Sequence, residues 1–283
     1  MAPGHRVDAF IATPDPPPKG VPNPIHDAEG ADAAGYAGAL VAGVRTYGWA
    51  AQTVVAAIGE RWLRDGWADF SLRRPLFAGE ELTVTVAPSP DGGEWSMQGV
   101  GRGQGGERVV IDGTVGLGRA GWFDDLRPPD PAPGLDPPEV RPGYSLDTVP
   151  LETPLRPLSA WVRAEAARAL ATGDLGLTDQ RYGPDADPVP LHPYFLAARM
   201  APLTRHNFTY GPTIHVRSQI QHVAEGEAGA EITVGARIVD AYARNDHWYQ
   251  VLDGAVTAGT TSNDPGRTLA VLRHHTIFRP RGT

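Results

Sequence analysis

Hydrophobic side chains recur at steps of three and four over one long segment in the first half of the chain. This spacing puts them on one face and predicts an amphipathic helix over residues 39–64. After Gly66, where the helix is expected to stop, the hydrophobic period changes to two. The shorter period predicts antiparallel strands with one buried face around residues 82–86 and 109–117.

The second half of the chain repeats this order of elements. Ser159 is expected to cap a helix that runs to Ala171, and a further helix is predicted over residues 194–201, ended by Pro202. Alternating hydrophobic positions then predict strands around residues 214–220, 232–238, 248–256 and 269–278.

Two six-residue stretches that enter predicted strands are similar between the halves. The sequence Gly-Glu-Glu-Leu-Thr-Val begins at Gly79, and Gly-Ala-Glu-Ile-Thr-Val begins at Gly229. Together with the shared order of elements, they favour an internal duplication. The predicted fold class is therefore α+β, with two antiparallel β-sheets that each wrap a central helix and join edge to edge.

A proline-rich segment separates the two halves. Residues 124–154 contain nine prolines, and proline is incompatible with a helix interior or a central strand. We interpret residues 126–153 as an extended linker between an N-terminal domain of residues 1–125 and a C-terminal domain of residues 154–283. The alternative is one long surface loop within a single domain.

Charge and composition narrow the classes of function. The 283 residues carry a formal net charge of −8 and no cysteine, so we expect no nucleic-acid partner, disulfide or thiolate metal site. No stretch reaches the roughly 20 apolar residues of a membrane span. Residues 1–8 also lack the apolar core of a signal peptide. We therefore expect a cytoplasmic protein without a membrane partner.

The sequence ahead of the long helix carries the strongest indication of chemistry. Asn23, Pro24 and His26 precede a glycine-rich entry to the helix that includes Gly43. Glycines let a substrate approach the backbone, and a helix start offers N–H groups without intrahelical partners. These are the parts of a site that stabilises the oxygen of a thioester carbonyl. The histidines have no spacing typical of a metal site, so we expect no metal.

The stretch Gly-Val-Pro-Asn-Pro-Ile-His at residues 20–26 resembles a known signature. That signature is the Gly-Asp-x-Asn-Pro-Ile-His of MaoC-like R-specific enoyl-CoA hydratases and 3-hydroxyacyl-thioester dehydratases. Residues 33–43 are similar to the segment that follows it in that family. The resemblance implies a double hotdog fold, an acyl-CoA or acyl-carrier-protein substrate and no cofactor. It leaves open a monomer with a dimer-like interior or a homodimer.

The resemblance also implies roles for individual residues. In the family an Asp and the His hold and activate a water that adds to, or leaves from, the 2,3-position of the acyl chain. Carried over, His26 would be the acid/base, Asn23 would help to shape the loop, and the N–H of Gly43 would polarise the carbonyl. The leading expectation is thus an enzyme, a hydro-lyase acting on acyl thioesters.

The chain departs from the signature at the catalytic carboxylate. The family's Asp falls on Val21 here, while in the second half Asp174 stands at the Asp position and Asp179 stands where His is expected. Three interpretations follow: another carboxylate such as Asp15 or Asp27 replaces the missing one, the two halves cooperate, or hydration has been lost. The alternatives in function are a catalytically degenerate acyl-thioester-binding protein and a hotdog thioesterase.

Overall fold

Ten strands form one continuous antiparallel sheet in the computed structural model, which describes residues 4–15, 23–33, 35–103, 106–209, 211–261, 264 and 266–280. The strands are β1 Arg6–Ile11, β2 Gly66–Leu72, β3 Glu81–Pro88, β4 Glu94–Gly103, β5 Gly106–Leu117, β6 Leu158–Val162, β7 Ile214–His222, β8 Ala230–Arg244, β9 His247–Gly259 and β10 Arg267–Arg279. The helices are α1 Ala28–Ala33, α2 Gly43–Ile58, α3 Trp62–Asp65, α4 Ala164–Arg168 with a π-helical continuation over Ala169–Asp174, α5 Pro193–Ala197 and α6 Met200–Asn207.

The order of strands in the sheet repeats between the halves. It runs β1-β3-β4-β5-β2-β7-β10-β9-β8-β6, so each half has the order first, third, fourth, fifth, second strand. Strands β2 and β7 pair residues 67–71 with residues 217–221. This pairing confirms the predicted edge-to-edge joining, and it makes the two predicted sheets one sheet of ten strands.

The long helix α2 fills the first half of the molecule, as its hydrophobic period predicts. Tyr47, Trp49 and Val54 are fully buried, and the ring of Tyr47 stacks on that of Phe70 in β2 with centroids 4.4 Å apart. Burial of such a face contributes most of the stability of a helix in a globular protein. Within the described ranges, no helix is both long and apolar enough to cross a bilayer.

Helix α2 starts later than the sequence pattern predicts, at Gly43 instead of residue 39. Leu40 forms a bridge with Phe77, and the N–H of Val41 donates to the carbonyl of Leu76. Residues 40–42 are therefore extended backbone bound to a neighbouring loop. The helical period also continues past the end of α2 at Ile58, because the short helix α3 follows.

Two predictions for the second half are wrong. Ser159 does not cap a helix: it lies in edge strand β6, where its hydroxyl hydrogen-bonds that of Thr233 in β8 at 2.6 Å. All five residues of this strand pair with β8, and this pairing excludes a helix start at Ser159. Pro202 does not end a helix either. It lies in the first turn of α6, where a backbone N–H is not needed.

The proline-rich segment lies against the second half of the molecule. Leu126 packs with Ala255 and Val271, and the ring of Tyr144 stacks on that of Phe278 with centroids 4.9 Å apart. No helix or strand forms between Asp125 and Leu158, a stretch that is described throughout. The domain boundaries at residues 125 and 154 remain a prediction.

Candidate active site

A cavity of about 810 Å³ opens at the start of α2. Its wall combines elements of both halves: the loop before α2 and the first turn of α2, the end of β2, helices α5 and α6, and the ends of β7 and β10. The wall is largely apolar, with Leu40, Val41, Val44, Leu72, Leu76, Ala198, Ala201, Ile214 and Ile277 among its side chains. A cavity of this size and lining suits an acyl chain.

His26 lies at the edge of this cavity with a defined tautomer. It ends a 3-10 turn that begins at Pro24 and is preceded by Asn23. Its Nδ1 is 2.7 Å from the carbonyl oxygen of Leu40 and 3.0 Å from Oδ2 of Asp15. Because both neighbours are acceptors, Nδ1 carries a hydrogen in either protonation state of the ring, and Nε2 is the atom that gains or loses a proton. Nε2 lies 3.3 Å from the amide nitrogen of Asn23.

The carboxylate of Asp15 is fixed by two further donors. The N–H of Ala42 reaches Oδ2 at 3.0 Å, and Nη1 of Arg45 reaches Oδ1 at 2.8 Å. Arg45 is only 1% exposed, and it also donates to the carbonyl oxygens of Thr13 and Asp174. The buried guanidinium therefore anchors Asp15 and ties the first half of the chain to the second.

This arrangement moves both pKa values in the directions that keep the pair ionised. Burial lowers the pKa of His26, but the hydrogen bond and charge of Asp15, with the carbonyl of Leu40, outweigh it and the net pKa is raised. Burial raises the pKa of Asp15, but His26 and Arg45 outweigh it and the net pKa is lowered. Both groups thus favour their ionised forms, and His26 is the group in the cavity that can act as a general acid or base.

The start of α2 supplies hydrogen-bond donors beside His26. Among the described residues, the N–H groups of Gly43 and Val44 have no acceptor, whereas that of Ala42 binds Asp15. A Cβ at Gly43 would lie 2.2 Å from a methyl carbon of Leu72, so only glycine fits without moving that side chain. An oxygen bound here would meet two N–H groups and the positive end of the helix dipole.

The structure brings together three of the four site residues predicted from sequence. His26, Asn23 and Gly43 all line the cavity. Asn23 also joins the halves, since its amide nitrogen donates to the carbonyl of Thr213 at 2.8 Å. Asp174 does not line the cavity, and what it offers the site is its backbone carbonyl, which accepts from Arg45.

Two carboxylates were candidates to replace the missing one of the signature, Asp15 and Asp27. Val21 lies outside the described residues. Of the two candidates, Asp27 is used at the start of α1, where Oδ1 accepts from the N–H of Gly30 at 2.7 Å. Asp15 contacts His26, which supports the interpretation that another carboxylate replaces the missing one.

A second group of histidines, missed in the sequence, lies under the start of α2. Nε2 of His215 is 2.8 Å from the hydroxyl of Ser218, which is 2.9 Å from Nδ1 of His274. Burial lowers the pKa of His215 to about 3, so the ring is neutral. On a regular strand, His215 and His222 would face opposite sides because they are seven residues apart. Strand β7 pairs with β10 through a bulge at Val216, and that extra residue turns His215 to the helix side.

Within the described ranges, no group of three or more His, Cys, Asp and Glu side chains is arranged to hold a metal ion. No family model matches the chain, and a search of curated proteins finds no match.

Solved structures share the architecture. A MaoC-like dehydratase is 16% identical, with a TM-score of 0.56 and 90% of each chain covered. RV0216 of Mycobacterium tuberculosis, described as having a double hotdog fold, is 16% identical with a TM-score of 0.58, over 89% of this chain and 86% of that one. A suggested thioesterase from Novosphingobium aromaticivorans DSM 12444 is 16% identical with a TM-score of 0.53, over 97% of this chain and 96% of that one. The chain therefore has the double hotdog fold, as predicted.

Proposed function

We propose that this protein is an acyl-thioester hydratase or dehydratase, which adds or removes water at the 2,3-position of an acyl group carried by CoA or a carrier protein. One observation carries the proposal: His26, oriented by Asp15 at 3.0 Å, lies beside the open N–H of Gly43 in an apolar cavity.

The N–H of Gly43 would bind the thioester carbonyl and so make the C2 proton more acidic. In dehydration, Nε2 of His26 accepts that proton. The protonated ring then gives a proton to the C3 hydroxyl as the C3–O bond breaks, which releases water and leaves the C2–C3 double bond. Hydration is the reverse. General acid–base catalysis contributes about 10²–10⁴-fold, and one oxyanion donor about 10²–10³-fold.

The charge around the cavity supports an anionic carrier. The chain has a net charge of −8, yet five arginines line this cavity. Two of them pair with carboxylates, Arg45 with Asp15 and Arg73 with Asp112. The remaining ones have no carboxylate partner among the described residues; of these, Arg74 is exposed and suits the phosphates of CoA or phosphopantetheine.

Purified protein incubated with crotonyl-CoA and longer enoyl-CoAs tests the proposal through loss of the enoyl absorbance. We expect steady turnover that falls by at least about 10²-fold in His26→Ala. His206→Ala is the matched control, since His206 lies outside the cavity. Turnover that survives His26→Ala, or absence of turnover at every chain length, contradicts the proposal.

The same incubations separate the two alternatives. A thioesterase needs a carboxylate or an activated water beside the thioester carbon, but Asp15 is already bound by Ala42, Arg45 and His26. Release of free CoA thiol would select the thioesterase. Binding of acyl-CoA without either reaction would select a catalytically degenerate binding protein.

A further inference from the structure

The cavity contains a cation from the second half of the chain, Arg199, that has no role in the proposed reaction. Arg199 lies between α5 and α6, most of its surface is buried, and it lines the cavity. In the described part of the chain no carboxylate lies within ion-pair distance of it. Burial lowers its pKa, which reflects the cost of holding this charge away from water. A buried cation without a counter-ion is stabilised when a ligand supplies the anion.

The head of Arg199 is held in place by the protein. Its Nε donates to the carbonyl of Phe195 at 3.2 Å, and its guanidinium carbon lies 4.1 Å from the centroid of the Phe195 ring. These two contacts occupy one edge and one face of the guanidinium, and leave the terminal N–H groups for a ligand. A planar fork fixed in this way matches the two oxygens of a carboxylate.

Tyr194 adds a neutral donor to the same part of the cavity. Burial raises its pKa to about 12, while Arg45 and Arg199 act to lower it, so the hydroxyl keeps its proton at neutral pH. This hydroxyl has no acceptor among the described residues, and Tyr194 also lines the cavity. Arg199 and Tyr194 therefore offer the cavity one charged and one neutral donor.

We propose that Arg199 and Tyr194 form an anion subsite for a carboxylate on the acyl group, so that the preferred ligands are thioesters of dicarboxylic acids. This inference rests on the proposed function for its thioester but adds the substrate class. The alternative source of an anion is a phosphate of the carrier. Carrier phosphates stay close to solvent, where the exposed Arg74 lies, whereas Arg199 is largely buried. The burial therefore favours the acyl carboxylate.

Between Arg199 and Arg205, which lies near His26, α6 presents the small side chains of Ala201 and Pro202 to the cavity. Arg205 is close enough to His26 for its charge to oppose the raised pKa of that ring. With about 1.5 Å of rise per residue, Arg199 and Arg205 are roughly 9 Å apart along the helix. That distance suits a short acyl chain with its thioester at one end and its carboxylate at the other.

Isothermal titration calorimetry tests the subsite with ligands that the proposed reaction cannot turn over. Succinyl-CoA and glutaryl-CoA are compared with valeryl-CoA and hexanoyl-CoA, uncharged ligands of matched length. We expect the carboxylated ligand of each pair to bind about 10–100-fold more tightly, the value of a charged hydrogen-bonded contact. Arg199→Gln should abolish the preference, and Arg199→Lys should restore part of it.

Arg74→Gln is the matched control at the exposed rim, and it should weaken all four ligands equally. Equal affinities within each pair for the wild type overturn the inference. So does a preference that survives Arg199→Gln, or an equal loss for all four ligands in that variant, which would assign Arg199 to the carrier phosphates. Thermal melting shows that each variant is folded. The hydration assay is separate, so loss of the preference and failure of the proposed reaction are distinguishable.

Discussion

The two halves of the sheet begin their helices in different ways, and under the proposed function this difference determines where an acyl carbonyl would bind. Each helix follows an equivalent backbone contact, Val41 N–H to Leu76 in the first half and Leu191 N–H to Gly226 in the second. Two residues later the first half has Gly43, with an N–H that is open to the cavity. The second half has Pro193, which has no N–H to offer. Both halves keep the repeated fold, but only the first offers the proposed oxyanion donor.

The loops before the two helices also differ, because only the loop of the first half brings a side chain of its 3-10 turn to the cavity. Each contains a 3-10 turn of three residues, Pro24–His26 in one half and Gln180–Tyr182 in the other. His26 reaches the cavity, whereas Tyr182 is 1% exposed and packs in the core. The sequence prediction that Asp179 stands at the histidine position is therefore wrong. Asp179 precedes the turn, as Asn23 does, and caps it through the N–H of Arg181.

The largest effect is expected when the start of α2 is given the proline that begins α5 in the second half. Gly43→Pro removes the N–H, and its backbone is compatible because Ala42 has φ −56° and ψ 132°, the extended region that precedes proline. Gly43→Ala is the control, since it brings the same contact of Cβ with Leu72 but keeps the N–H. We expect kcat for hydration to be about 10²–10³-fold lower in Gly43→Pro than in Gly43→Ala. Equal rates in the two variants would show that the N–H of Gly43 does not contribute to catalysis.

A second test compares the carboxylates of the two loops. Asp15→Asn should lower kcat/KM by about 10²-fold, because Nδ1 of His26 loses its charged partner. It should also lower the free energy of unfolding by about 3 kcal/mol, because Arg45 is left buried without a counter-charge. Asp179→Asn is the counterpart, since its partner Arg181 is more exposed than Arg45. That variant should cost at most about 1 kcal/mol and leave hydration unchanged. A similar loss in both variants would contradict the assigned role of Asp15.

The histidines of the two halves predict opposite dependences of stability on pH. The pKa of His26 is raised on folding, so its contribution is complete below its unfolded pKa and is lost as pH rises through its folded pKa. Burial lowers the pKa of His192 to about 3, so the unfolded chain binds the extra proton, and stability falls as pH drops below about 6.5.

Urea unfolding of the wild type, His26→Gln and His192→Gln from pH 4 to 9 measures both slopes. Removing His26 should flatten the alkaline limb, and removing His192 should flatten the acidic limb, the latter by up to about 3 kcal/mol at pH 4. Removal of either histidine that leaves its own limb unchanged would contradict the assigned shift.

The smallest expected effect concerns Asp174. Its backbone carbonyl binds Arg45 and Thr13, and Asp174→Asn keeps that carbonyl. Hydration should stay within about twofold of the wild type and stability within about 0.5 kcal/mol. A large loss of activity would contradict this expectation and indicate that the carboxylate of Asp174 acts in the site.

The fold was largely predictable because its signals are local. The helical period of α2 follows from Tyr47 and its neighbours on one face. The paired stretches at Gly79 and Gly229 begin at turns with φ of 87° and 83°, which glycine adopts readily. His26, Asn23 and Gly43 were also identifiable, because they lie in one short stretch of sequence.

The rest of the site depends on contacts that no local pattern encodes. Asp15 reaches His26 only because Arg45 and the start of α2 hold it there. Arg199 enters the cavity from the other half of the chain. His215 faces the helices only because of the bulge at Val216. Each of these depends on how distant elements pack, which hydrophobic periodicity does not describe.

A crystal structure with a carba(dethia) analogue of crotonyl-CoA, in which CH2 replaces the sulfur, tests the central claim most directly. We predict a carbonyl oxygen about 3 Å from the nitrogen of Gly43, with the C2–C3 bond within reach of Nε2 of His26. No ligand should lie at Pro193. A carbonyl bound at Pro193, or an acyl chain outside the cavity with His26 turned to solvent, would contradict the account.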